Sequence, residues 1–325
     1  MAANGGDKNT LHIATHSGWY RFERRGENWQ QVDRALTFWQ MSCIQVDPED
    51  AKLVFLGTEH SGMFVTNDGG KDWTRAEPNV PCLEMSALLA LPGKLLVGTR
   101  PAALYVTSKP SGWDEIKGVR QGAFGGTFPP NPDLAPRTRV LAREPNSPGR
   151  LFAGIEVGGI LVSDDDGQNW TKCNDGLTDP DIHEILPSQQ KDALVVAACG
   201  EGVSRSTDRG NHWEKVTPPG GRTYANALAE DKMGNIYLGI TRDRPRTWTR
   251  AGRAHTAIFK SEDGANWQLL TENMNGGVMD LCTAAAGEGV LIATADGEVV
   301  ELDSSGKART VVRGLPCINA IALGA

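Results

Sequence analysis

A chain of 325 residues with 38 glycines, 18 prolines and 39% hydrophobic residues can bury a large core and has the turn-rich composition of an all-β protein. Its formal net charge of −7 provides no general attraction to nucleic acid or to an anionic membrane, and no apolar run is long enough to span a bilayer. The polar start MAANGGDKNT lacks the apolar stretch of a signal peptide, so we expect a cytoplasmic protein with reduced cysteines.

Short strands of similar length follow one another along the chain, with glycine-containing turns between them. The chain begins with three strands and later repeats a unit of two apolar strands, a turn motif, a polar edge strand and a further apolar strand. The clearest predicted strands are Leu11–Thr15, Trp19–Glu23, Trp29–Asp33, Leu53–Gly57, Met63–Thr66, Leu151–Ile155, Ile160–Ser163, Met279–Ala284 and Cys317–Leu323. Each unit therefore predicts a four-stranded antiparallel sheet.

The turn motif recurs about every 43 residues, with two longer intervals. Its clear copies are Thr66–Trp73 (TNDGGKDW), Ser163–Trp170 (SDDDGQNW) and Ser206–Trp213 (STDRGNHW). Weaker copies at Ser261–Trp267 (SEDGANW, one residue short), Phe22–Trp29, Ser108–Trp113 and Ser304–Gly306 complete a set of seven. The Ser or Thr and Asp side chains cap a tight turn, Gly adopts a backbone conformation that other residues resist, and Trp packs between sheets. The motif aspartates Asp68, Asp165, Asp208 and Asp263 are accordingly interpreted as turn formers.

Seven four-stranded units predict an all-β fold, a seven-bladed β-propeller formed by residues 1–325 as a single domain. The first unit has only three N-terminal strands. We expect the C-terminal segment Cys317–Leu323 to add its inner strand, in the three-plus-one closure that joins the first and last blades.

The motif copies resemble the Asp-box, or bacterial neuraminidase repeat, superfamily across essentially the whole chain. Its members include sialidases, two-domain xyloglucanases, the sortilin ectodomain and photosystem II assembly factors. The resemblance implies the propeller fold. Sialidase activity is not expected, because sialidases have six blades and a Phe/Tyr-Arg-Ile-Pro segment, whereas Tyr20-Arg21-Phe22 lacks the Ile-Pro.

Two long insertions are predicted on the propeller face opposite the motifs, around the mouth of the central channel. They are Val119–Arg137 and Thr241–Thr256, and the second is rich in arginine around Trp248. Loops of this length are often lids or binding loops, and Arg groups bind carboxylates or phosphates.

Several polar residues are predicted at the same mouth. Three histidines and a carboxylate would suit a divalent metal ion that activates water, while His and Glu without a metal could act as acid and base. The candidate metal ligands are His16, His60, His183 and His255. The candidate catalytic residues are His183, Glu184, Glu59 and Glu156. The candidate substrate-binding residues are Arg100, Arg139, Tyr224, Arg242, Arg244, Trp248 and Trp39.

The sequence leaves two functions open. The first is a hydrolase or lyase acting on a small anionic or sugar-like substrate, either with a divalent metal or with His and Glu alone. It would need no organic cofactor, nucleic acid or membrane. The second is a non-catalytic binding or assembly propeller that holds a protein partner through Trp39, Trp248, Phe124 and Phe128. The first predicts a converging polar pocket, and the second predicts an extended exposed patch.

Overall fold

The computed structural model describes residues 9–76, 84–108, 112–119, 135–242, 244–245, 248, 254–285 and 287–324. The strands in these ranges are β1 (Thr10–Thr15), β2 (Gly18–Arg25), β3 (Asn28–Ala35), β4 (Met41–Val46), β5 (Val54–Thr58), β6 (Met63–Thr66), β7 (Thr74–Arg75), β8 (Glu84–Leu91), β9 (Lys94–Arg100), β10 (Leu104–Thr107), β11 (Asp114–Glu115), β12 (Thr138–Arg143), β13 (Leu151–Ile155), β14 (Gly159–Ser163), β15 (Thr171–Lys172), β16 (Ile182–Pro187), β17 (Val195–Cys199), β18 (Gly202–Ser206), β19 (Glu214–Val216), β20 (Tyr224–Glu230), β21 (Ile236–Thr241), β22 (Thr256–Ser261), β23 (Gln268–Met274), β24 (Val278–Thr283), β25 (Val290–Thr294), β26 (Val299–Leu302), β27 (Ala308–Val312) and β28 (Ile318–Leu323).

These strands form seven antiparallel sheets of four strands each, and every sheet is one blade. Blade 1 has the order β28-β1-β2-β3, and blades 2 to 7 begin with the inner strands β4, β8, β12, β16, β20 and β24. The C-terminal strand β28 pairs with β1, with Ile321 opposite Ile13. The seven-bladed propeller and its three-plus-one closure are therefore confirmed.

The hydrophobic core lies between consecutive blades. The second strands of the blades are buried on both faces, as in β5, β13, β17 and β25, whereas the short fourth strands β7 and β15 are exposed. One cluster joins Leu96 and Leu104 of blade 3 to Leu151 and Leu161 of blade 4. In the described part of the chain, no helix is long and apolar enough to cross a membrane.

The repeated motif forms the turn between the third and fourth strands of a blade. In blade 4, Ser163 Oγ donates to Asp165 Oδ1 at 2.8 Å and accepts the N–H of Gly167 at 2.9 Å. Asp165 Oδ1 also accepts the backbone N–H groups of Gln168 and Asn169, at 3.1 and 2.8 Å. These hydrogen bonds lower the pKa of Asp165 to about 2, so the carboxylate stays charged and holds the turn.

The motif tryptophans pack towards the preceding blade. Trp213 of blade 5 is 1% exposed, and its Nε1–H donates to the carbonyl of Cys173, just beyond β15 of blade 4, at 3.0 Å. In blade 2, a Cβ atom on Gly70, whose φ is +98°, would lie 2.1 Å from the Trp19 ring of blade 1. The motif therefore fixes both the turn and the contact between blades.

Candidate functional site

Every inner strand carries a β-bulge near its first residues. These residues lie on the propeller face opposite the motif turns, where the chain arrives from the preceding blade. The register of the inner strand against the second strand shifts by one residue at this point in all seven blades. The residues left without a partner in the ladder are Ser42, Ser86, Arg139, His183, Asn226, Met279 and Asn319. All seven line one cavity of about 170 Å³ at the channel mouth. Each blade thus contributes one side chain at the same height.

Five of these bulged residues donate a hydrogen bond to the next blade. The acceptor is always the backbone carbonyl of the residue before the next bulge, and we call this set the inter-blade belt. Its members are Ser42 to Met85 O, Ser86 to Thr138 O at 2.7 Å, His183 Nδ1 to Ala225 O at 2.6 Å, Asn226 Nδ2 to Val278 O at 2.7 Å and Asn319 Nδ2 to Met41 O at 2.6 Å. The belt thus links the inner strands of adjacent blades around the channel mouth.

Blades 4 and 7 depart from this pattern. Arg139 extends past blade 5, and its Nη2 donates to Asn226 Oδ1 at 2.8 Å. The side chain of Met279 has no N–H or O–H group to donate. The mouth is therefore asymmetric, with a cation on one side and a thioether on another.

Two carboxyl groups line the channel directly after bulged residues. Glu184 follows His183 on β16, and Asp280 follows Met279 on β24. Burial, with a contribution from Asp280, raises the pKa of Glu184 to about 8. Burial also raises the pKa of Asp280 to about 7, although Asp280 accepts the N–H groups of Leu281 and Ile321, each at 2.8 Å. A protonated and an ionised carboxyl can therefore coexist here near neutral pH.

The wall on the side of blades 4 and 5 contains a charged cluster. Arg137 Nε pairs with Glu156 Oε2, and Arg139 Nη1 lies 3.7 Å from Glu156 Oε1. Burial alone would raise the pKa of Glu156, but the two arginines outweigh it and the net shift is downward. The fully buried His183 side chain places Nε2 3.4 Å from Asp181 Oδ1.

The pKa shift of Glu184 predicts a pH-dependent stability. A carboxyl whose folded-state pKa is raised stabilises the fold fully below its ordinary pKa of 4.5, and this contribution is lost as the pH rises to about 8. Between pH 4.5 and pH 8, we therefore expect the free energy of unfolding of the wild type to fall by a few kcal/mol relative to that of Glu184→Gln. Urea denaturation of both proteins at about pH 4.5 and about pH 8.5 measures the difference. Equal pH dependence in the two proteins would contradict the raised pKa.

The predicted site residues separate into two groups. The cavity brings together Glu59, Arg139, His183 and Glu184, and Glu156 pairs with its arginines. By contrast, four predicted residues are exposed on loops of the same face: His16, His60, Arg242 and Arg244.

Two predicted residues lie beside acidic side chains. His60 Nε2 lies 4.0 Å from Glu59 Oε2, and Arg100 Nη1 lies 3.5 Å from Glu84 Oε1.

Trp248, which the sequence suggested as a substrate-binding residue, is buried rather than open to a ligand. It is 2% exposed and packs edge-on against Tyr224, with 5.6 Å between ring centroids. Gly277 allows this contact, because a Cβ atom there would lie 2.2 Å from the Trp248 ring. Tyr224 in turn lies against His183, with 4.5 Å between ring centroids. The insertion tryptophan therefore supports the site from behind.

Two other predicted site residues, Trp39 and His255, do not line the channel-mouth cavity. Trp39 is partly buried, with its ring 5.1 Å from that of Phe64. His255 is partly buried and has a φ of +47°, and its carbonyl accepts a hydrogen bond from Arg222 at 2.6 Å. Most of the Val119–Arg137 insertion, including Phe124 and Phe128, lies outside the described residues, as do 243, 246–247 and 249–253 of the second insertion.

Sequence reasoning missed Asp181 and most of the belt. Among the described residues, the one group of three His, Cys, Asp or Glu side chains with ligand atoms within 4.8 Å of one another is Glu156, Asp181 and His183. His183 is the member of this group that was also among the four histidines predicted as metal ligands. The available signal was a polar residue in second or third place on the inner strands, such as Ser42 on β4 or Asn226 on β20.

A second cavity of about 620 Å³ lies between blades 2 and 3 near the motif face. Most of its exposed surface is apolar, from side chains such as Leu53, Phe55 and Val65, although polar and charged residues such as Asp47 and Lys94 also line it. The smaller channel-mouth cavity instead combines hydrogen-bond donors, acceptors and the two carboxyls with raised pKa values. It is therefore the stronger candidate for chemistry.

No known family profile matches the chain. It is 24% identical over 262 residues to a probable oligoxyloglucan-reducing end-specific xyloglucanase of Neosartorya fischeri, covering 72% of this chain and 29% of that protein. It thus spans less than a third of that relative. Among solved structures, the GH74 xyloglucanase of Xanthomonas campestris matches 93% of this chain and 46% of its own, with a TM-score of 0.62 and 14% identity. YCF48 bound to D1 peptide matches 93% of this chain and 84% of its own, with a TM-score of 0.57 and 16% identity. These similarities show a shared propeller fold.

Proposed function

We propose that the chain is a hydrolase that binds a small, hydroxyl-rich, sugar-like ligand at the channel mouth, with Glu184 as proton donor and Asp280 as base. The observation that carries the proposal is the pair of channel carboxyls with raised pKa values in a cavity lined by all seven blades. The xyloglucanase relatives support a carbohydrate substrate, although their activity belongs to proteins at least twice as long.

The cavity favours a small and mostly neutral ligand. Its volume of about 170 Å³ holds about five or six water molecules, at about 30 Å³ each. Both arginines in its lining already face Glu156, so the described wall offers hydrogen-bond partners more than free positive charge. A neutral sugar end therefore fits better than the anion that the arginines first suggested.

The proton transfers balance in a single hydrolytic step. Glu184 gives its proton to the leaving oxygen as the bond to carbon breaks, while ionised Asp280 takes a proton from the attacking water. Asp280 then returns its proton to solvent and Glu184 regains one. This step needs protonated Glu184 and ionised Asp280, which their pKa values allow near pH 7 to 8.

Product analysis tests the proposal. The full chain is incubated with short xyloglucan fragments and with simple neutral and anionic glycosides, and released sugars are separated by chromatography. We expect release from at least one neutral glycoside. Absence of any product, together with no binding of these sugars by calorimetry, would overturn the proposal.

A peptide-binding role is the second candidate, because among the described residues Phe38 is strongly exposed on the channel-mouth face. Phe38 is 94% exposed in the loop between blades 1 and 2, beside Trp39. The similarity to YCF48 bound to a peptide supports this alternative. It predicts that Phe38→Ala weakens binding of a partner recovered by co-purification, whereas Glu184→Gln does not.

A further inference from the structure

We propose that Glu156, Asp181 and His183 form a binding site for one divalent transition-metal ion, such as Zn²⁺, at the wall of the channel mouth. One ligand atom from each residue lies within 4.8 Å of the other two. The proposal concerns metal binding and does not depend on hydrolysis. It replaces most of the four-histidine site that the sequence suggested.

The orientation of His183 is the first observation in favour of this site. The side chain is fully buried, and its Nδ1 lies 2.6 Å from the carbonyl of Ala225, which places the ring proton on Nδ1. In the neutral tautomer Nε2 then carries a lone pair, as a metal-ligating imidazole requires. The belt hydrogen bond thus presents Nε2 towards Asp181.

The second observation is a pair of buried atoms that face each other. His183 Nε2 and Asp181 Oδ1 lie 3.4 Å apart, and within the described ranges neither atom forms a hydrogen bond with any other group. Two facing lone pairs are unfavourable unless a cation or proton lies between them. Their separation of 3.4 Å matches the distance between two ligands of a tetrahedral ion with bonds of about 2.1 Å.

Glu156 supplies the third ligand and sets the electrostatics. Its Oε2 is held by Arg137, while Oε1 lies 3.7 Å from Arg139, too far for a hydrogen bond. An imidazole with two carboxylates favours Zn²⁺, Mn²⁺ or Ni²⁺ over Mg²⁺ or Ca²⁺. The nearby Arg137 charge opposes a cation, so it should weaken the site without blocking it.

The experiment uses the full chain, freed of metal with a chelator and titrated with Zn²⁺ by calorimetry. His183→Asn removes the imidazole but retains a belt donor, since Asn226 and Asn319 serve the same position in other blades. We expect one Zn²⁺ per wild-type chain and at least tenfold weaker binding by His183→Asn and by Asp181→Asn. His212→Gln is the control and should bind Zn²⁺ like the wild type. His212 is exposed on the opposite face, where its Nδ1 lies 3.0 Å from Asp175 Oδ2.

A charge variant sharpens the test. Arg137→Gln removes a positive charge next to Glu156 and should tighten Zn²⁺ binding about tenfold. A wild type that binds no Zn²⁺, or a His183→Asn variant that binds it as tightly as the wild type, would overturn the metal site. Sugar release by the metal-free protein would support the proposed hydrolase even if no Zn²⁺ binds. The metal site and the hydrolase activity can therefore fail separately.

Discussion

Replacing Asn226 by alanine should destabilise the protein by about 3 kcal/mol. Asn226 is 2% exposed, and its Nδ2 donates to the carbonyls of Val278 at 2.7 Å and Met279 at 3.2 Å. Its Oδ1 also accepts the hydrogen bond from Arg139. Alanine leaves these buried groups unpaired, and each unsatisfied group costs about 1–3 kcal/mol. Urea denaturation of the full chain measures the loss.

The matched control is Asn28→Ala, at an exposed position that begins β3. This change should alter the free energy of unfolding by less than about 0.5 kcal/mol. If Asn226→Ala were as mild as this control, the belt would not hold adjacent blades together. A loss confined to Asn226→Ala would instead establish that polar channel residues stabilise the ring.

Replacing Glu184 by glutamine should reduce kcat on the hydrolysed substrate by about 10²- to 10⁴-fold. Glutamine has the shape and neutrality of protonated Glu184 but cannot give up a proton, so KM should change little. The wild-type rate should peak between pH 7 and 8, rising as Asp280 ionises and falling as Glu184 loses its proton. These pKa values belong to the pair, since the two carboxyls interact.

Loss of folding cannot mimic this result, because Glu184→Gln is expected to gain stability relative to the wild type as the pH rises. Glu49→Gln, at an exposed position in a hairpin of blade 2, is the control and should keep full activity. A Glu184→Gln variant with a wild-type kcat and an unchanged pH profile would remove Glu184 from the chemistry.

The fold could be predicted from the sequence because each blade is specified by short segments of the chain. The turn motif forms within eight residues, and strands such as Met63–Thr66 and Leu151–Ile155 were predicted with their observed bounds. The closure followed from counting strands, since three N-terminal strands required a C-terminal fourth. Such features depend on residues near one another in the chain.

The site was only partly predictable because it depends on register and packing between blades. A one-residue shift in register places Asn226 towards the next blade, and a polar residue near the start of the strand does not by itself reveal that shift. Asp181 lies in a loop, and its approach to His183 depends on how that loop meets the inner strand. Trp248 was misjudged because Gly277, which directly precedes β24 of blade 7, allows its burial.

The most direct test of a ligand site at the channel mouth is a crystal structure of the full chain with a bound neutral sugar. We expect electron density for the sugar among the seven bulged residues, with an oxygen within hydrogen-bond distance of Glu184 and another near Asp280. Density in the apolar cavity between blades 2 and 3, or over Phe38 at the rim, with the channel mouth holding only water, would contradict it.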